Sequence, residues 1–135
     1  LRLDVLFLKK NVKIYKLEHK FKFEKLIIWQ LAMDFAEEIY SVSANFPKIE
    51  QYNLISQINR AADSIALNIS EGSIEQSNAE FKRFLNYSIR SIAEVVTCLH
   101  KAKRRKYIEE EKFTSLYLSS FELMNRTLAF KSKLS

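Results

Sequence analysis

Two sets of residues in this sequence have the types and spacing that chemistry requires. The first is Gln57, Arg60, Ser64, Asn68 and Glu71, recurring every three or four residues. At about 100° per residue these share one side of a helix. Amide, guanidinium, hydroxyl and carboxylate groups bond one another in pairs, and Ser91 and Glu94 further along offer partners. Such a seam can be an internal network that fixes helix register, a lining for a ligand pocket, or a contact between subunits. The second set is Lys82, Arg83, Arg90, Lys101, Arg104 and Arg105. From Lys82 to Arg104 it would form a helical ridge about 33 Å long, suited to backbone phosphates of RNA or DNA. The plain alternative is a solvated face whose last cations complement a helix C-terminus by about 0.3–1 kcal/mol each.

Catalysis finds little support. The two histidines are His19 and His100, and the one cysteine is Cys98. Cys98 and His100, two apart, point to different faces of a helix and make no nucleophile–base pair. Zinc-type His and Cys clusters are missing, and the single glycine forms no phosphate-cradling loop. The sequence thus points to a protein that is not an enzyme, with no cofactor, no metal and no small-molecule substrate. Cys98 reads as a small core residue.

The elements that position these groups are helical. The chain has 135 residues, enough for one domain, with 47% hydrophobic residues, one Gly and one Pro. So few turn formers argue for a few long helices. One cysteine excludes an intrachain disulfide and makes a reducing, cytoplasmic setting the default. No uncharged apolar run nears the ~18 residues of a membrane span, and no signal peptide with a cleavage site is found. Of the net charge of +6, residues 1–22 carry +5 and the rest +1, so charge alone argues weakly for nucleic acid.

Residues 1–22 form a basic N-terminal extension, loosely held or docked; alternation at Leu1, Leu3, Val5 and Phe7, and at Val12 and Ile14, suggests short strands. Residues 23–134 form the bundle domain. A first helix spans 24–44, with Ile28, Trp29, Ala32, Phe35, Ala36, Ile39 and Tyr40 inward, and stops before Pro47. A second spans 50–71, with Leu54, Ile58, Ala61, Ile65 and Ile69 inward; Gly72 reads as its left-handed end. Ser77 and Glu80 form a capping box for a third helix over 78–106. A fourth begins near Glu109, with Phe113, Tyr117, Phe121, Met124 and Leu128 as its core side. Leu116, Leu123 and Phe130 then form a ridge turned away from the core and, with Ile27 and Leu31 on the first helix, a candidate subunit interface. The fold class is all-α, an antiparallel up-down-up-down four-helix bundle. The partners expected are further copies of the chain and RNA or DNA, with no membrane.

One spaced motif is more specific. Phe46-Pro47, Gln57, Arg60-Ala61, Ser64-Ile65, Asn68-Ile69, Glu71-Gly72, Phe84-Leu85, Ser91 and Glu94, with Trp29-Gln30 upstream, resembles the four-helix-bundle proteins encoded in intervening sequences of bacterial 23S rRNA genes. The resemblance covers about residues 23–130 and implies a small cytosolic homopentamer whose biochemical role is not established. More distantly the chain resembles accessory bundles of diversity-generating retroelements, which implies nucleic-acid binding. It departs from the family pattern at Ala66, where Pro is usual in the second helix, and at Arg90, where Gly usually precedes the third-helix Ser. A protein–protein scaffold with no nucleic-acid role is the alternative reading.

Overall fold

The computed structural model describes residues 18–135; the strands expected near the start of the chain lie outside the described residues. Four helices follow one another: α1 (Ile27–Ser43), α2 (Leu54–Ser73), α3 (Asn78–Arg104) and α4 (Glu110–Ser132). Single 3-10 turns at Lys22–Lys25 and Lys48–Glu50 lead into α1 and α2, so both helices begin later than their apolar periodicity suggests. Among the described residues no helix is long and apolar enough to cross a membrane.

Each helix packs on the next and α1 closes against α4, giving a ring of four. The contacts run in opposite chain directions. Glu50 meets Arg105, Ser64 meets Ser91, and Gly72 meets Phe81 and Phe84, so α2 and α3 are antiparallel. Phe81 meets Phe130 and His100 meets Phe113, so α3 and α4 are too. The core is a continuous set of Ile, Leu, Phe and Ala side chains. Ala32, Ile39, Ile58, Ile65, Leu85, Leu99 and Leu116 are wholly removed from solvent. α2 runs unbroken through Ala66, without the bend a proline would impose.

Helix ends depart from the sequence reading. Gly72 lies inside α2, and no described glycine has a positive φ. A Cβ there would sit 2.6 Å from the Phe84 Cβ and 2.9 Å from the Phe81 ring. Gly72 is therefore required by close helix approach rather than by a turn. The left-handed residue is Lys106, with φ 62°, at the end of α3. There the Tyr107 N–H donates to the Ala102 carbonyl (2.9 Å) and the Lys106 N–H to that of Lys103 (3.0 Å), the paired bonds of a Schellman end. Ser77 caps α3 by accepting from the Glu80 N–H (3.2 Å), whereas the Glu80 carboxylate turns to Arg83.

The fourth helix is rotated relative to expectation. Leu116 (0% exposed) and Leu123 (2%) are core residues, so neither presents a surface to another subunit. Phe130 is half-buried against Phe81. Tyr117, Phe121 and Leu128, expected inside, are exposed. The reason is chemical. Ser120 and Thr127 share the inward stripe with Leu116 and Leu123, and their hydroxyls donate to the Leu116 and Leu123 carbonyls at 2.7 Å. Bonded to their own helix, these small polar groups are buried with their hydroxyls satisfied. On α1, Tyr40 is likewise exposed, while Ile27 faces solvent and Leu31 is half-buried.

Candidate nucleic-acid interface

The seam between α2 and α3 comes first, because it sets how α3 presents its outer side. Ser64 and Ser91 hydroxyls bond each other across the two helices. The fully buried Ser88 hydroxyl donates to the Ile65 carbonyl (2.8 Å), and the Asn68 amide donates to the Ser64 carbonyl (2.8 Å). Small side chains here let the backbones approach, continuing the contact that excludes a Cβ at Gly72.

Long side chains cannot share that space. Arg60, Glu71 and Glu94 are exposed, and no ion pair joins Arg60 to Glu94 among the described residues, which corrects the expected buried network. Counted from Leu54, Arg60 and Glu71 lie at about 240° and 260°, the solvent edge of a stripe in which Asn68 lies at about 320°. Gln57 is half-buried. Arg90 faces solvent, so the absence of a glycine there does not hold the helices apart.

Turned outward by this seam, α3 carries the basic ridge. Arg83, Arg90, Lys101, Arg104 and Arg105 are exposed and Lys82 half-buried. They are not equivalent. Arg83 pairs with Glu80 (3.1 Å), donates to the Tyr87 hydroxyl (3.2 Å), and lies over the Phe84 and Tyr87 rings. The Glu80 charge holds its guanidinium pKa above the usual value. Arg90 also lies over the Tyr87 ring, 5.8 Å from its centre. Lys82, Arg90, Lys101 and Arg104 have no acidic partner within ion-pair distance among the described residues. Arg105 is committed elsewhere. Its guanidinium donates to Glu50 Oε2 at 3.1 Å, which withdraws it from the expected set of phosphate contacts.

Glu50 was not legible as a site. It is 6% exposed and takes four donors: the Tyr107 hydroxyl (2.8 Å), Arg105 (3.1 Å), the Asn53 amide (3.0 Å) and the Leu54 N–H (3.5 Å). The Tyr107 hydrogen bond is the largest influence holding its carboxyl below the usual carboxylate range, against the opposing effect of burial. Donation to Glu50 raises the Tyr107 pKa in turn. The cluster ties the start of α2 to the end of α3. Its local signal is an acid four residues ahead of the first helical residue, Leu54; its distant partners leave no trace in sequence spacing.

Cys98 is buried, and burial raises its thiol pKa. His100 packs edge-on against Phe113 and Tyr117. No group of His, Cys, Asp and Glu able to hold a metal ion occurs among the described residues.

Residues 24–128 match the family model described as 23S rRNA-intervening sequence protein. The chain belongs to that family. A solved structure agrees with this intervening-sequence bundle at TM-score 0.70 and 26% identity, covering 78% of this chain and 98% of the other. It is the crystal structure of a protein of unknown function from the S23 ribosomal protein family of Bacteroides thetaiotaomicron. The search of curated proteins returned no match to the intervening-sequence chain.

Proposed function

We propose that this bundle is a non-enzymatic, cytoplasmic, self-associating protein that holds RNA or DNA by its backbone phosphates. The observation that carries the reading is the outer side of α3, where Lys82, Arg90, Lys101 and Arg104 stand along one helix without an acidic partner among the described residues. A rigid helix spaces these cations at fixed intervals, which suits a phosphate backbone and reads no base edge. Arg83 and Arg90 flanking Tyr87 add a planar, cationic surface beside them. Self-association is supported by the apolar side chains exposed among the described residues, and the assembly proposed is the homopentamer that the motif resemblance implies.

The test is a mobility shift at low salt with unstructured RNA and duplex DNA. Arg90→Glu with Arg104→Glu should weaken binding to both by a similar factor. Absence of binding by the unaltered protein would remove the phosphate role. The second reading, a protein–protein scaffold with no nucleic-acid role, is favoured by the same exposed apolar side chains and would then stand.

A further inference from the structure

Tyr87 is the one ring among the described residues that two guanidinium groups lie over. Arg83 is 5.7 Å and Arg90 5.8 Å from its centre, and Arg83 is also 5.5 Å from the centre of the Phe84 ring. Tyr40, Tyr52 and Phe121 are more exposed, yet no arginine or lysine of the described residues lies over them. The Tyr87 ring is also held in place. Phe84 meets it edge-on at 5.8 Å and 86°, and the Arg83 guanidinium donates to its hydroxyl at 3.2 Å. Phe84 is fixed in turn against the α2 backbone, which passes close to it at Gly72. Glu80 holds Arg83 at 3.1 Å, so the cluster is ordered before any ligand arrives.

The two arginines offer different things. Glu80 answers the charge of Arg83, so what remains to a ligand is a flat guanidinium backed by aromatic rings. Arg90 has no acidic partner among the described residues and is free to meet a phosphate. Counted from Phe81, Arg83, Tyr87, Arg90 and Lys101 lie at about 200°, 240°, 180° and 200°, one strip of the helix. Glu94, one turn beyond Arg90, carries the same sign of charge as a phosphate and bounds the cluster at that end. Every nucleobase has a π-face that stacks on aromatic rings and arginine planes whatever its sequence. In a duplex those faces are closed by neighbouring bases, and in an unpaired strand they are free. Residues 83 to 87 cover about 6 Å of helix, room for one or two bases stacked about 3.4 Å apart.

We propose that the Arg83–Phe84–Tyr87 cluster takes unpaired nucleobases by stacking, with Arg90 on the adjoining phosphate, so that the protein prefers single strands to duplexes. This rests on the phosphate binding proposed above and names the form of nucleic acid that the site takes. Phosphate contacts hold either form; stacking adds to the single strand alone. Surface cation–π pairs that only brace the helix are the plain alternative, and the two give different results with a strand that lacks bases.

Fluorescence anisotropy at low salt should compare an oligothymidylate with a strand of equal length in which abasic sites replace the bases. Both carry the same phosphates, and only one has bases to stack. The unaltered protein should bind the oligothymidylate at least about fivefold more tightly, the effect of one stacked base. Stacking releases no counterions, so that ratio should persist while added salt lowers both affinities. Tyr87→Leu keeps an apolar body at a half-buried position, and Arg83→Lys keeps the charge but loses the plane. Each should bring the ratio towards one. Arg83 is exposed, so its variant decides the matter if Tyr87→Leu loses its cooperative melt. Tyr52→Leu, at a ring 95% exposed, should keep the full ratio. Equal binding of the two strands by the unaltered protein overturns stacking and leaves phosphate binding standing. A ratio that survives Tyr87→Leu and Arg83→Lys, or that falls in Tyr52→Leu, overturns the assignment to this cluster. Binding of neither strand overturns the phosphate reading and this one with it.

Discussion

Single residues decide where this chain resists change. Gly72 is the clearest. An alanine gains about 1 kcal/mol of helix propensity over glycine, yet its methyl would meet the Phe84 Cβ at 2.6 Å. That atom is fixed to the α3 backbone and cannot swing aside. Overpacking of this kind costs about 1–3 kcal/mol, so Gly72→Ala should lower the denaturant midpoint with an unchanged m-value. At Lys106 the opposite holds. A side chain at φ 62° carries a strain that glycine lacks, and Lys106→Gly should stabilise by about 1 kcal/mol in the same melts. Glu50 gives a pH signature. Its folded pKa is depressed, so its contribution is complete above the ordinary carboxylate range and is lost as pH falls through the lower folded value. Glu50→Gln should flatten that part of the acid limb of stability against pH. Tyr107→Phe should cost less in a Glu50→Ala background than alone, since the two share one hydrogen bond.

At the scale of elements, α2 and α4 show what the sequence disclosed and what it did not. The inward stripe of α2, from Leu54 through Ile58, Ala61 and Ile65 to Ile69, was legible because a single apolar face left no choice. α4 has two apolar stripes about 100° apart, and periodicity alone cannot say which faces the core. The deciding residues, Ser120 and Thr127, read as polar but bond their own helix and go inside. The seam failed in part for a related reason. Its hydroxyl and amide members are drawn between the helices, as the spacing indicated, but two backbones brought close by Gly72 and the serines leave no room for Arg60 and Glu94. Two substitutions only two residues apart, on opposite sides of the helix, separate the α4 stripes. Leu123→Ala should cost about 2–5 kcal/mol as a buried truncation. Arg60→Ala and Phe121→Ser, at exposed positions, should leave the stability of the isolated chain within about 0.5 kcal/mol. A large loss on Arg60→Ala would restore the buried ion pair that the fold does not show.

For the whole molecule, the helices, their order and the antiparallel packing were legible, since long periodic segments with short links allow few arrangements. The function was less so, because cations along a helix suit solvent as well as phosphate until their partners are known. The fold narrows the set by binding Arg105 to Glu50 and Arg83 to Glu80 while leaving Lys82, Arg90, Lys101 and Arg104 without acidic partners among the described residues. The most direct measurement is the dependence of duplex-DNA affinity on salt. Four phosphate contacts should give a slope of log K against log salt of about −3.6, and Arg90→Ala with Arg104→Ala should reduce its magnitude by about 1.8. An unchanged slope in that double variant, or no binding by the unaltered protein at low salt, would contradict the account.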